Sequence, residues 1–101
     1  MTMSDHERVL QEFVLESLAN DYESFVCVVE QVMKGEAEKE LVVSRGEVAR
    51  ALEQTIREGY AQAYLLSAQA PYSLAVEFSS DRIDDLWFYV TPKGKQLVSQ
   101  L

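Results

Sequence analysis

Cysteine is almost missing from this chain of 101 residues: Cys27 stands alone, so no disulfide can form within the chain and no cysteine-rich metal knuckle can be assembled. Histidine is equally scarce. His6, the only one, lies near the start of the chain and offers neither a two-histidine metal set nor a base for a nucleophile. With two prolines and four glycines there is no low-complexity linker and no glycine loop to cradle a phosphate. No metal, cofactor or catalytic chemistry is expected, and the chain reads as non-enzymatic. The densest apolar runs, residues 25–29 and 86–90, are five residues each, against about 20 for a membrane span. No membrane partner is expected. The opening residues lack a basic segment followed by an apolar run, so a cytoplasmic location is the expectation. Positive charge is also in short supply, 9 bases against 17 acids for a net charge of -8, which disfavours a protein that wraps nucleic acid.

What is present is core-forming material. With 48% hydrophobic and 26% charged residues, the chain can bury an interior, and its length suits a single domain over 1–101. The acidity is uneven: residues 1–43 carry -7, residues 44–66 are neutral and residues 67–101 carry -1. One face can therefore meet an anion although the whole molecule repels it.

Val9, Leu10, Phe13, Val14 and Leu18 recur at helical spacing, predicting a first helix over 5–19 with an apolar stripe wider than one docking surface requires. Asn20 and Glu23 stand at capping-box spacing, predicting a second helix from there with Tyr22, Phe25, Val26, Val29, Val32 and Met33 on one side, stopped at Lys34 and Gly35. Cys27 falls away from that side, next to Glu23, Glu30 and Gln31, which is an inert setting for a thiol. Ser44 and Glu47 repeat the capping-box spacing, followed by Val48, Leu52 and Ile56 on one face and closed by Gly59. Beyond it, residues 60–66, the alternating stretch 72–79 and residues 86–90 read as strands, the last two joined as a hairpin through the Ser- and Asp-rich turn at 79–84. Thr91 followed by Pro92 starts a short terminal helix containing Leu97, Val98 and Leu101. The class is α+β: three N-terminal helices, an antiparallel three-stranded sheet and a short C-terminal helix.

Two segments carry a family likeness. Residues 43–60, VSRGEVARALEQTIREGY, resemble the third helix of winged helix-turn-helix domains, and residues 88–97, FYVTPKGKQL, resemble the passage from wing to last helix in PadR-type and MarR-type regulators. The resemblance implies a winged-helix-like fold that binds duplex DNA as a dimer, with a recognition helix at 45–58 and a wing near 67–85. Candidate DNA contacts are then Arg45, Arg50, Gln54 and Arg57 on that helix, Arg82 in the wing, and Lys93 and Lys95 after the last strand. Against this, Glu53 is placed to pair with both Arg50 and Arg57, and the wing holds Glu77, Asp81, Asp84 and Asp85 against Arg82 alone. Asp81, Asp84 and Asp85 lack the pattern of a calcium loop and read as turn formers.

Seven of the ten aromatic residues fall between 60 and 89, more than one sheet face can bury, and aromatic side chains anchor protein interfaces. The leading expectation is a regulatory or binding module that acts through a protein partner or a homodimer. Val9, Leu10, Phe13, Val14 and Leu18 are the candidate interface. Duplex DNA is the second expectation, and a small acidic chaperone or nucleic-acid mimic the third.

Overall fold

A computed structural model of the chain describes residues 5–19, 21–38, 43–70 and 72–100. In order, these form α1 (Asp5–Ser17), β1 (Glu23–Ser24), α2 (Phe25–Glu38), α3 (Arg45–Arg57), β2 (Ala61–Leu66), β3 (Ser73–Val76), a 3-10 segment (Ser80–Asp85), β4 (Trp87–Val90) and α4 (Pro92–Val98). The fold is α+β, with helices on an antiparallel four-stranded sheet of order β1-β4-β2-β3.

Capping chemistry sets the boundaries of α3. Ser44 accepts from the backbone N-H of Glu47, and the Glu47 carboxylate accepts from the backbone N-H of Ser44, so two otherwise unpaired donors are satisfied reciprocally. Gly59 ends the helix at φ 83°, a left-handed conformation that costs glycine little. Thr91 caps α4 by accepting from the N-H of Gly94, and Pro92 occupies the first turn, where a missing N-H is harmless.

Helix two departs from expectation at both ends. Glu23 and Ser24 pair with Phe88 and Trp87 as a strand, and the helix begins only at Phe25, with the Ser24 hydroxyl accepting from the N-H of Cys27. Asn20, expected as the cap, lies outside the described residues. The helix then continues through Gly35 to Glu38. Its buried side is Phe25, Val28 and Val32, while Val26 is 53% and Met33 38% exposed. The later start rotates the core-facing stripe, exchanging Val26 and Met33 for Val28. Tyr22 precedes the helix altogether.

The sheet also differs. The expected hairpin between residues 72–79 and 86–90 does not form, because β3 and β4 both pair with β2, on opposite sides of it. Their connection must cross β2, and the 3-10 segment does so while carrying Ile83, with Leu86 just beyond it, into the core. The fourth strand, β1, adds to the far edge of β4. Alternation along the central strands divides the faces: Ala61, Ala63, Phe88 and Val90 are buried under the helices with Leu10, Val14, Leu15, Leu18, Val48 and Leu52.

Candidate functional site

Three surfaces were candidates: the exposed side of α3, the apolar stripe of α1, and the aromatic-rich sheet. On α3, the bases are largely committed to this chain's own groups. Arg45 is ion-paired to Asp84 of the 3-10 segment and lies 4.8 Å from the centre of the Phe25 ring. Arg57 donates to Glu53 at 2.7 Å, and Gln54 donates to Glu58 at 2.8 Å. Glu53 thus serves Arg57 and not Arg50, contrary to the shared pairing expected. Lys93 donates to the backbone carbonyl of Glu58 at 2.7 Å and stands over the Tyr60 ring, while Lys95 stands over Tyr89. Arg50 and Arg82 are exposed and make no hydrogen bond or ion pair among the described residues.

The α1 stripe lies mostly inside the chain. Leu10, Val14 and Leu18 are buried in its own core, and Val9 and Phe13 are half-buried. Its width is accounted for internally, because α1 packs against both α2 and α3. Of the five stripe residues, only the half-buried Val9 and Phe13 remain for a protein contact on this face.

The outer face of the sheet carries an aromatic cluster. Tyr64 is paired with Trp87 across β2 and β4, and Gln62 with Tyr89. Tyr22, at the entrance to β1, packs edge-on against Tyr64 and tilted against Tyr89, each at 5.1 Å between ring centres, and donates its hydroxyl hydrogen to Ser73. Burial, with Tyr22 and Tyr89 alongside, pushes the Tyr64 phenol above the ordinary tyrosine range. Gln62 ties the sheet together by donating to the Val76 carbonyl at 2.9 Å. Trp87 is 37% and Leu66 38% exposed on this face; at the β3 edge Leu74, which pairs with Leu65 on the opposite face, is 54% exposed, and Tyr72 before it 68%. Tyr22 was assigned from the sequence to a helix. Its place beside Tyr89 follows from the β1-β4 register, which a strand of two residues does not announce by periodicity.

A cleft of about 480 Å³ separates α1 from α3, lined by His6, Glu7, Leu10, Gln11, Glu47, Arg50, Ala51 and Gln54. It is bridged twice. His6 Nε2 donates to Glu47 Oε2 at 3.0 Å, and Gln11 Nε2 donates to Glu58 Oε2 at 3.1 Å. His6 and then Ser44 hold the Glu47 carboxyl below its usual range, outweighing desolvation, which acts in the other direction. Gln11 is only 6% exposed. The sequence signal for it was a lone amide inside the apolar stripe of α1, next to Leu10 and one turn before Val14 and Leu15.

Among the described residues no group of three His, Cys, Asp or Glu side chains is placed to hold a metal ion. None of the described helices is long and apolar enough to cross a membrane. Cys27 is a free, half-buried thiol. No protein-family model, curated protein or solved structure matches the chain.

Proposed function

We propose that this chain is a winged-helix-like, non-enzymatic regulatory module that acts through a protein partner or through self-association, with the outer face of the sheet as its contact surface. The element order supports the winged-helix reading: a helix, a short strand, two helices, and then strands in which the last lies between the first and the central one. The observation that carries the functional reading is the Tyr22, Tyr64 and Tyr89 cluster with Trp87 and Leu66 partly open to solvent beside it. Rigid aromatic side chains of this kind bury large area at small entropic cost and anchor protein interfaces. Phosphate-dominated binding has less to draw on, since five of the seven candidate DNA-contacting side chains are engaged within the chain.

Placing a photo-crosslinking residue at position 87 tests the reading, with position 57 on the exposed side of α3 as the control, alongside light scattering over a concentration series. A crosslink confined to position 87, to a defined protein or to a second copy, supports it. No crosslink at 87 together with a mass of 11.5 kDa at every concentration removes it. The duplex-DNA reading retains one favourable observation, that Arg50 on the exposed side of α3 has no partner among the described residues.

A further inference from the structure

The cleft between α1 and α3 is independent of the sheet face, and its side chains have hydrogen-bonding capacity of two opposite kinds left unfilled. Arg50 is the exception among the arginines of α3: Arg45 is held by Asp84 and Arg57 by Glu53, whereas the guanidinium of Arg50 has no partner among the described residues. Its five donors sit on the rim of the cleft without an acceptor. The opposite deficit lies on α1. Gln11 is nine-tenths buried and lines the same cleft; its amide nitrogen is committed to the acceptor-only carboxylate of Glu58, which fixes the orientation of the amide. No donor among the described residues reaches the Gln11 carbonyl oxygen, so this residue brings an acceptor to the cleft lining. Leu10 and Ala51 add apolar surface to the lining of the same cleft, and Glu7 and Glu47 add carboxylates.

We propose that this cleft binds a free α-amino acid with an apolar side chain. Its carboxylate would sit on Arg50, its ammonium would donate to the Gln11 carbonyl and the neighbouring carboxylates, and its side chain would lie against Leu10 and Ala51. The charges of the lining select a zwitterion over simpler ions. A plain anion on Arg50 meets the Glu7 and Glu47 carboxylates of the same cleft, and a plain amine leaves Arg50 unmatched, whereas a ligand of zero net charge that carries both groups meets both. The volume falls within the range of about 300–1,000 Å³ typical of small-ligand sites. The two bridges, His6 to Glu47 and Gln11 to Glu58, hold the walls in register before the ligand arrives.

Amide chemical shifts of the full chain, followed by ¹H–¹⁵N NMR during titration with L-leucine to about 10 mM, test the proposal. The parallel probes are isovalerate, which keeps the carboxylate and side chain, and isoamylamine, which keeps the ammonium and side chain. The expected result is a saturable shift at Leu10, Gln11, Arg50 and Ala51 with leucine, with each truncated probe weaker by about tenfold or more. R50Q should weaken leucine by a similar factor while its spectrum stays dispersed, because Arg50 is exposed and holds no partner among the described residues. No saturable shift with leucine would overturn the proposal, as would isovalerate or isoamylamine binding as tightly as leucine, or an unchanged response in R50Q.

Discussion

A β carbon added to Gly94 would stand 2.0 Å from the carbonyl oxygen of Tyr60. The start of α4 is seated directly on the junction between α3 and β2, and it satisfies three successive carbonyls there. Lys93 Nζ donates to Glu58, the Thr91 hydroxyl to Gly59, and the Thr91 backbone N-H to Tyr60. Lys93, a phosphate-contact candidate on sequence grounds, serves here as a cap for the end of α3.

Gly94→Ala should therefore destabilise the chain by ~3 kcal/mol or more, because the obstacle is backbone and cannot turn aside. Gly46 supplies the opposite case. A methyl group there would meet only the Ser44 hydroxyl, at 3.9 Å, and alanine is the better helix former, so Gly46→Ala should stabilise by about 0.5–1 kcal/mol. Denaturant midpoints of the two variants should move in opposite directions. Equal shifts would contradict the packing described.

Acid should act on the α1-α3 contact through Glu47. Its folded carboxyl is held below the usual range by His6 and Ser44, so its contribution to stability is complete above the unfolded value near 4.5 and disappears as pH falls through the lower folded value. The thermal midpoint of the wild-type chain should fall more steeply below that pH than the midpoint of Glu47→Gln, which has no carboxylate to protonate. Parallel curves would exclude the His6–Glu47 pair as a contributor in solution.

At high pH the aromatic cluster should be the sensitive element. Burial raises the Tyr64 phenol first, and the neighbouring Tyr22 and Tyr89 add to it. The neutral form is the one the fold favours, so the contribution of Tyr64 is present below the ordinary value of 10.0 and is lost as pH rises through the higher folded value. Tyr22→Phe removes one neighbouring ionisable hydroxyl and should bring the Tyr64 titration back toward the ordinary range. Ultraviolet difference titration of the two proteins reads this out.

Nonspecific duplex DNA, followed by fluorescence anisotropy, should bind only at low salt and lose its signal by about 150 mM, as expected for a handful of phosphate contacts on an acidic chain. Arg50→Ala should remove most of what remains, since Arg50 is the base of α3 that has no ion-pair partner among the described residues. Lys93→Ala should lower stability rather than merely weaken binding. Tight, salt-resistant binding would place DNA ahead of a protein partner as the function.

Much of the local structure was legible in advance. The Ser44–Glu47 box, Gly59, and the Thr91–Pro92 pair each act within one helical turn, so the ends of α3 and the start of α4 follow from adjacent residues. The outward-facing bases of α3 were legible for the same reason, since helical spacing places them opposite Val48 and Leu52. Their partners were not. Arg45 meets Asp84 from a segment 39 residues away, and no local rule links the two.

Residue type and spacing alone determined that this chain has the material for a buried core, that α3 begins and ends where it does, that α4 begins at Pro92, and that positive charge is scarce. Only the tertiary structure decided that Tyr22 belongs to the sheet, that the stripe of α1 is consumed by α2 and α3, that β3 and β4 flank β2 instead of pairing with each other, and that Gln11 and Arg50 share a cleft. The physical reason is range: caps, turns and side-chain periodicity act over a few residues, whereas strand order and helix packing are selected by burial among segments tens of residues apart.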